Sequence, residues 1–232
     1  MSNYYRISES YRTKELNYED IILRPNKSIV NSRSECDIST YFGSKKYAAP
    51  VCCSNMKSLL TKDICKTFDK RNWFYVYQRI DGTQDVYEFV KQANEENWNS
   101  VSISVGIDEA WIYMLFNLNA QGLRVDAITV DVAHSFNDNI KPIVEAAKKY
   151  HPDAFLIVGN GSTSEWVDYM EELGVGAIKC GIGVSKACRT RQYTGFGSST
   201  VTSLIECSNA VKNVKVMTDG GLTVDKNGEV WI

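Results

Sequence analysis

The sequence predicts an α/β fold, a (β/α)8 TIM barrel with seven of its eight strands inside these 232 residues. Three observations carry that prediction. Short, nearly continuous apolar runs recur about every 22 to 28 residues, apart from a longer last gap, as expected of parallel strands buried on both faces. Segments with helical periodicity lie between them, and one strand, one helix and two short loops fill about that length. Polar and glycine residues cluster just after the runs. In a barrel these strand ends meet at the C-terminal mouth, where barrel enzymes place their chemistry.

The runs read AAPVCCSN (48–55), WFYVYQR (73–79), SVSISVG (100–106), AITVDVA (127–133), AFLIVGN (154–160), AIKCGIG (177–183) and VKVMTDGG (214–221). Among the intervening segments, TQDVYEFVKQANEEN (83–97) begins on a capping threonine. It places Val86, Phe89, Val90 and Ala93 on one helical face. NDNIKPIVEAAKKY (137–150) behaves alike. STSEWVDYMEELG (162–174) opens with capping residues and closes on Gly174. The polar strand ends are Asn55, Arg79, Asp131 with His134, Asn160, the 181–197 loop, and Asp219 followed by Gly220 and Gly221. The expected architecture is a single catalytic domain over 1–232. Its eighth strand is expected beyond Ile232, since a barrel stopping at seven strands exposes two edges.

Composition narrows the function classes. A formal net charge of -2 supplies no basic excess to neutralise nucleic-acid phosphates. No run approaches the roughly 20 apolar residues that span a bilayer, and the polar opening MSNYYRISES lacks the apolar core of a signal peptide. The seven cysteines show no CxxC pair and no regular spacing, so free thiols in a reducing cytoplasm are expected.

One cysteine stands apart. Cys52, Cys53 and Cys180 sit in apolar runs, whereas Cys188 lies in GIGVSKACRTRQYTGFG (181–197) beside Lys186, Arg189 and Arg191. Neighbouring cations favour the thiolate, which is the nucleophilic form. Zinc would require several Cys or His ligands, and the only histidines, His134 and His151, do not pair with Cys188. A nucleophile is the better local interpretation.

The same loop resembles the catalytic loop of the IMP dehydrogenase and GMP reductase family, typically GIGxGxxCxTRxxTGxG. The resemblance extends through YEDIILRPNKSIVNSRSECDIS, SNM (54–56), DVAHS (131–135), VGNGST (158–163) and TDGG (218–221), in the family's order. Only a helix-sized segment separates Arg79 from Ser100, where IMP dehydrogenases usually carry a regulatory insert. With SRSECD and SISVG, this places the chain closer to GMP reductase.

That resemblance implies NADPH-dependent reduction of GMP to IMP and ammonia. It implies that Cys188 attacks C2 of the purine, and that Thr190 moves a proton to the leaving amine, paired in the family with a glutamate from a later flap. Ser32, Arg33, Arg79, Asp131, Val132, Ala133, Ile182 and Gly183 are implied on the cofactor side. Asn55, Met56, Lys186, Asp219, Gly220 and Gly221 are implied around the nucleotide. Backbone carbonyls of Gly183, Ser185, Cys188 and Arg191 are implied ligands of K+, with Ser185 standing where the family has glycine. Other departures are Gln78 for a family histidine, SSTVTSL after TGFG, and a longer DKNGEV turn. Family members are usually homotetramers. Three functions remain open: a GMP reductase completed by a C-terminal portion on this or a second polypeptide, an IMP dehydrogenase without its regulatory domain, and a non-catalytic nucleotide-binding or interaction remnant.

Overall fold

The computed structural model describes residues 15–183 and 190–220, and the backbone of 223–224 and 230–231. Five parallel strands form its centre: β3 (Ser102–Val105), β4 (Ala127–Asp131), β5 (Phe155–Gly161), β6 (Ala177–Cys180) and β7 (Lys215–Thr218). Before them come β1 (Thr40–Phe42) and β2 (Lys45–Tyr47), an antiparallel hairpin, then α1 (Lys62–Lys70) and α2 (Thr83–Glu95). Helices α3 (Glu109–Ala120), α4 (Lys141–Tyr150) and α5 (Ser164–Glu172) separate successive strands, and α6 (Thr190–Thr194) and α7 (Thr200–Ala210) lie between β6 and β7. A short antiparallel pair, β8 (Thr223–Val224) and β9 (Val230–Trp231), follows.

The five strands neighbour one another in chain order, β3-β4-β5-β6-β7. An open doubly wound sheet reverses order at a switch point; this sheet has no such reversal. Alternate residues divide its faces. Ile103, Ile128, Val130, Val158 and Ile178 pack in the larger core cluster with α2–α5 residues such as Phe89, Leu115, Val144 and Trp166. Ala127, Ile157 and Ala177 face the other way, into a smaller cluster with Tyr47, Phe74 and Val76. Tyr47 and Phe42 bring the β1–β2 hairpin onto this inner face, with Phe42 and Phe74 ring centroids 4.3 Å apart.

Two expected strands are corrected. Residues 48–55 form no strand: Ala48 donates to the Asn72 carbonyl at 2.8 Å, but no ladder follows. The run's apolar character reflects packing of Cys52 on the inner cluster rather than pairing. Residues 73–79 contribute a single parallel bridge, Tyr77 to Ile103, in which Tyr77 donates to Ser102 and accepts from Ser104. Here apolar burial and β-ladder formation part company, because a ladder requires a partner backbone in register.

The expected helices form, with adjusted starts. Thr83 is the first residue of α2, and Gly82 takes the cap position. In 137–150 a 3-10 turn precedes α4, whose first turn holds Pro142. Thr163 caps α5 by accepting from the Trp166 N–H at 3.3 Å, and Gly174 ends the segment at φ +60.

Glu171 anchors the entry to β7. Its carboxylate accepts the backbone N–H groups of Lys212 and Asn213, each at 2.7 Å, and of Val214 at 3.1 Å. Slight burial pushes its acidity the other way, but these three donors and the Asn213 side-chain amide hold the carboxyl at about 2. A depressed carboxyl stabilises the fold above its unfolded value of about 4.3, and that contribution is lost as pH falls through about 2. Glu171→Gln is therefore expected to melt lower than wild type at pH 5, with the gap closing toward pH 2. Thermal melts of the two proteins across that range check it; a gap independent of pH would show that the charge does not matter.

Candidate active site

The inner face ends in charge. Asp131 and Lys179 share strand parity with Ala127 and Ala177, so they leave the sheet on the inner side at its C-terminal edge. Asp219 follows β7 directly, its N–H donating to the Cys180 carbonyl at 2.9 Å. These residues line a cavity of about 320 Å³ together with Asn55, Met56, Arg79 and Asn160. Its remaining wall is backbone-rich: Ser54, Val132, Ala133, Gly181, Ile182, Gly183 and Gly220, with Thr190 at the start of α6.

Lys179 is the hub. Its ammonium lies 3.3 Å from an Asp219 carboxylate oxygen and 3.6 Å from one of Asp131, and donates to the Asn55 side-chain oxygen at 3.2 Å. The side chain is only 12% exposed, against 27% and 28% for the two aspartates. Burial alone would lower its affinity for a proton. The Asp219 and Asp131 carboxylates outweigh that and hold it above the ordinary lysine value.

The other polar groups are equally committed. Asn160 donates to the Gly181 carbonyl at 2.8 Å and to the second oxygen of Asp219. Arg79 donates twice to the Asp131 main-chain carbonyl, at 3.0 and 2.7 Å, tying the end of 73–79 to the end of β4. Gln78 is buried and its side-chain amide donates to Asp81 at 3.0 Å.

Eleven of the expected site residues line this cavity: Asn55, Met56, Arg79, Asp131, Val132, Ala133, Ile182, Gly183, Thr190, Asp219 and Gly220. Ser32 and Arg33 do not. They lie on an exposed stretch, where Ser32 caps a 3-10 turn by accepting from Ser34. Cys188, Ser185, Lys186 and Gly221 lie outside the described residues. The chain leaves the description at Gly183 and returns at Thr190, and both of these line the cavity. Arg191 is exposed; its carbonyl accepts the Gly195 N–H at 3.0 Å.

Sequence reasoning missed Lys179 and gave Asn160 no role. The signal for Lys179 was present in AIKCGIG: one charge in an apolar run, on the parity of the inner face.

Burial and close neighbours hold the thiols of Cys52, Cys65 and Cys180 away from the thiolate form. Burial pushes Cys52 up to about 11, despite the Lys179 ammonium nearby, and Cys65 up to about 12. Cys180 is pushed up by its contact with Cys207, 3.5 Å away, and by burial. Cys180 is buried as expected of a cysteine in an apolar run, while Cys52 and Cys53 are half-buried. Among the described residues no cluster of His, Cys, Asp or Glu has the makings of a metal site, and no helix is long and apolar enough to cross a membrane.

A family model described as IMP dehydrogenase / GMP reductase domain matches residues 15–230. The chain belongs to the IMP dehydrogenase / GMP reductase family. Within that family it is 36% identical over 211 residues to a protein named GMP reductase from Helicobacter pylori, covering 90% of this chain and 64% of the relative. GMP reductases from Chromobacterium violaceum, over 208 residues, and Staphylococcus saprophyticus, over 211, are also 36% identical. These alignments cover 65% and 63% of the two relatives, so the chain spans just under two thirds of the length of the curated relatives it matches.

Proposed function

We propose that this IMP dehydrogenase / GMP reductase family chain carries the greater part of a GMP reductase, an oxidoreductase converting GMP to IMP and ammonia. The carrying observation is the cavity at the strand ends, where Asp131, Lys179, Asn160 and Asp219 converge and both flanks of the cysteine segment arrive. The consecutive parallel sheet and its inner cluster support a (β/α)8 barrel around that cavity.

In this proposal the Asp219 carboxylate, held from two sides, grips the ribose hydroxyls, and Gly220 and Gly221 admit the phosphate with Lys186 near it. Asn55 and Met56 face the purine. The Cys188 thiolate adds to C2, and the 2-amino group leaves as ammonia with a proton delivered through Thr190, giving a thioimidate. Covalent addition of this kind divides one difficult substitution into two easier steps. NADPH, when bound, supplies a hydride to C2, after which the C2–S bond breaks and the cysteine is restored. Arg79, Asp131, Val132 and Ala133 fit the dinucleotide side, since they form one continuous wall with the Asp131 carbonyl already clamped by Arg79. Of the residues expected to hold K+ through their carbonyls, Gly183 lines the cavity and the Arg191 carbonyl accepts the Gly195 N–H. A tetramer and a cytoplasmic location complete the proposal.

The test is a paired assay of the protein in its full natural length. Consumption of NADPH with GMP, and production of IMP, supports a reductase. Turnover of IMP with NAD+ alone would assign a dehydrogenase. No turnover in either direction, with nucleotide binding retained, would leave the binding remnant.

A further inference from the structure

We propose that Lys179 is a positioning residue that sets the Asp219 and Asp131 carboxylates in place, so that one buried ammonium governs affinity on both the nucleotide and the dinucleotide sides of the cavity. The inference rests on the reductase assignment above and adds a residue to it.

The first observation is register. Asp131 pairs with Gly159, and Gly159 with Lys179, so the three form one row across β4, β5 and β6. Neighbouring strands lie about 4.8 Å apart, so Lys179 must cross a whole strand to reach Asp131. It crosses over Gly159. A Cβ there would stand 2.6 Å from the Lys179 Cβ, closer than packed carbon atoms come, and 3.3 Å from its Cγ and Cδ. The missing side chain at 159 is the slot through which the ammonium reaches Asp131.

The second observation is charge. One Nζ lies within 3.6 Å of both carboxylates. Removing it would leave two carboxylates without the cation that bridges them, so that their mutual repulsion favours moving apart. Asp219 keeps its Asn160 bond but would lose the charge that holds its other oxygen. Asn55 would lose its donor as well. Lys179 has no need to touch a ligand to exert these effects.

The experiment is a double-mutant cycle on the full-length protein, read by calorimetric binding of IMP and of NADPH, with circular dichroism confirming the fold. Lys179→Met is expected to weaken IMP by about 10- to 100-fold, as for loss of a charge-assisted hydrogen bond, and to weaken NADPH in the same direction. In an Asp219→Asn background the same change is expected to cost little further for IMP, because its route of action is already gone. Lys179→Arg should recover part of the affinity by restoring the charge. Gly159→Ala keeps the lysine but closes its slot, and is expected to weaken both ligands; it decides the matter if Lys179→Met does not fold. Unchanged affinities in a folded Lys179→Met or in Gly159→Ala, or additive losses in the cycle, would overturn the positioning role while leaving the reductase assignment intact. Wild-type protein that binds IMP without reducing GMP would sink the reductase assignment instead, and the cycle would still report on Lys179. Wild-type protein that binds neither nucleotide overturns both.

Discussion

Cys188→Ala is expected to remove turnover of GMP with NADPH by about 10^4-fold or more, the scale seen when a covalent nucleophile is deleted. The expectation follows from three things. Cys188 lies close in sequence to Lys186, Arg189 and Arg191, and neighbouring cations favour the thiolate. The segment carrying it begins and ends on residues of the cavity wall. Two alternatives near the core, half-buried Cys52 and buried Cys65, are pushed up to about 11 and about 12 by desolvation, which favours the thiol over the thiolate. IMP binding and the thermal midpoint are expected to change little, because the loss is of a bond formed only during reaction. Steady-state NADPH consumption, together with intact mass after quenching with GMP, checks both sides. The wild-type enzyme should show the covalent adduct and the variant should not. Turnover surviving in Cys188→Ala would exclude the thioimidate route.

Gly161→Ala is expected to be strongly destabilising. A Cβ at this last residue of β5 would lie 2.1 Å from Trp166 Cδ2 and 2.2 Å from Cε2. The indole has nowhere to go: it is fully buried and its Nε1–H donates to the Ser135 hydroxyl at 2.8 Å. Overpacking a rigid ring ordinarily costs about 1–3 kcal/mol, and contact this close places the cost at about 3 kcal/mol or more. For a chain of this size that corresponds to a fall of about 6–12 °C in melting temperature. The damage should also reach the site, because the preceding residue, Asn160, holds both Gly181 and Asp219. Trp166→Leu, itself destabilising through a cavity, should relieve the clash, so the double variant should be less damaged than the sum of its parts. Calorimetric scans of the four proteins decide it. A Gly161→Ala melt within a degree of wild type would mean that the helix moves freely over the strand.

Comparison of residues with their surroundings separates what was legible in the chain from what was not. Alternating apolar runs and amphipathic segments announced β3 to β7 and the helices between them, because side-chain periodicity is a local property of the backbone. The same local logic placed Asn55, Arg79, Asp131 and Asp219 at strand ends, and these do line one cavity. It failed at 48–55, where the apolar signal was genuine but no partner backbone supplied a ladder. It also passed over the β1–β2 hairpin, whose Phe42 and Tyr47 close the inner cluster from a distance in sequence.

The sequence by itself therefore determined the α/β class, the family, the cysteine loop and the polar residues at the strand ends. Only the tertiary structure decided what those residues meet: Lys179 reaching over Gly159 to Asp131, Asn160 steadying Asp219, Gly161 yielding its space to Trp166. The reason is register. Which face a side chain occupies follows from its own strand, but which partner it finds across two strands depends on how every intervening strand has paired.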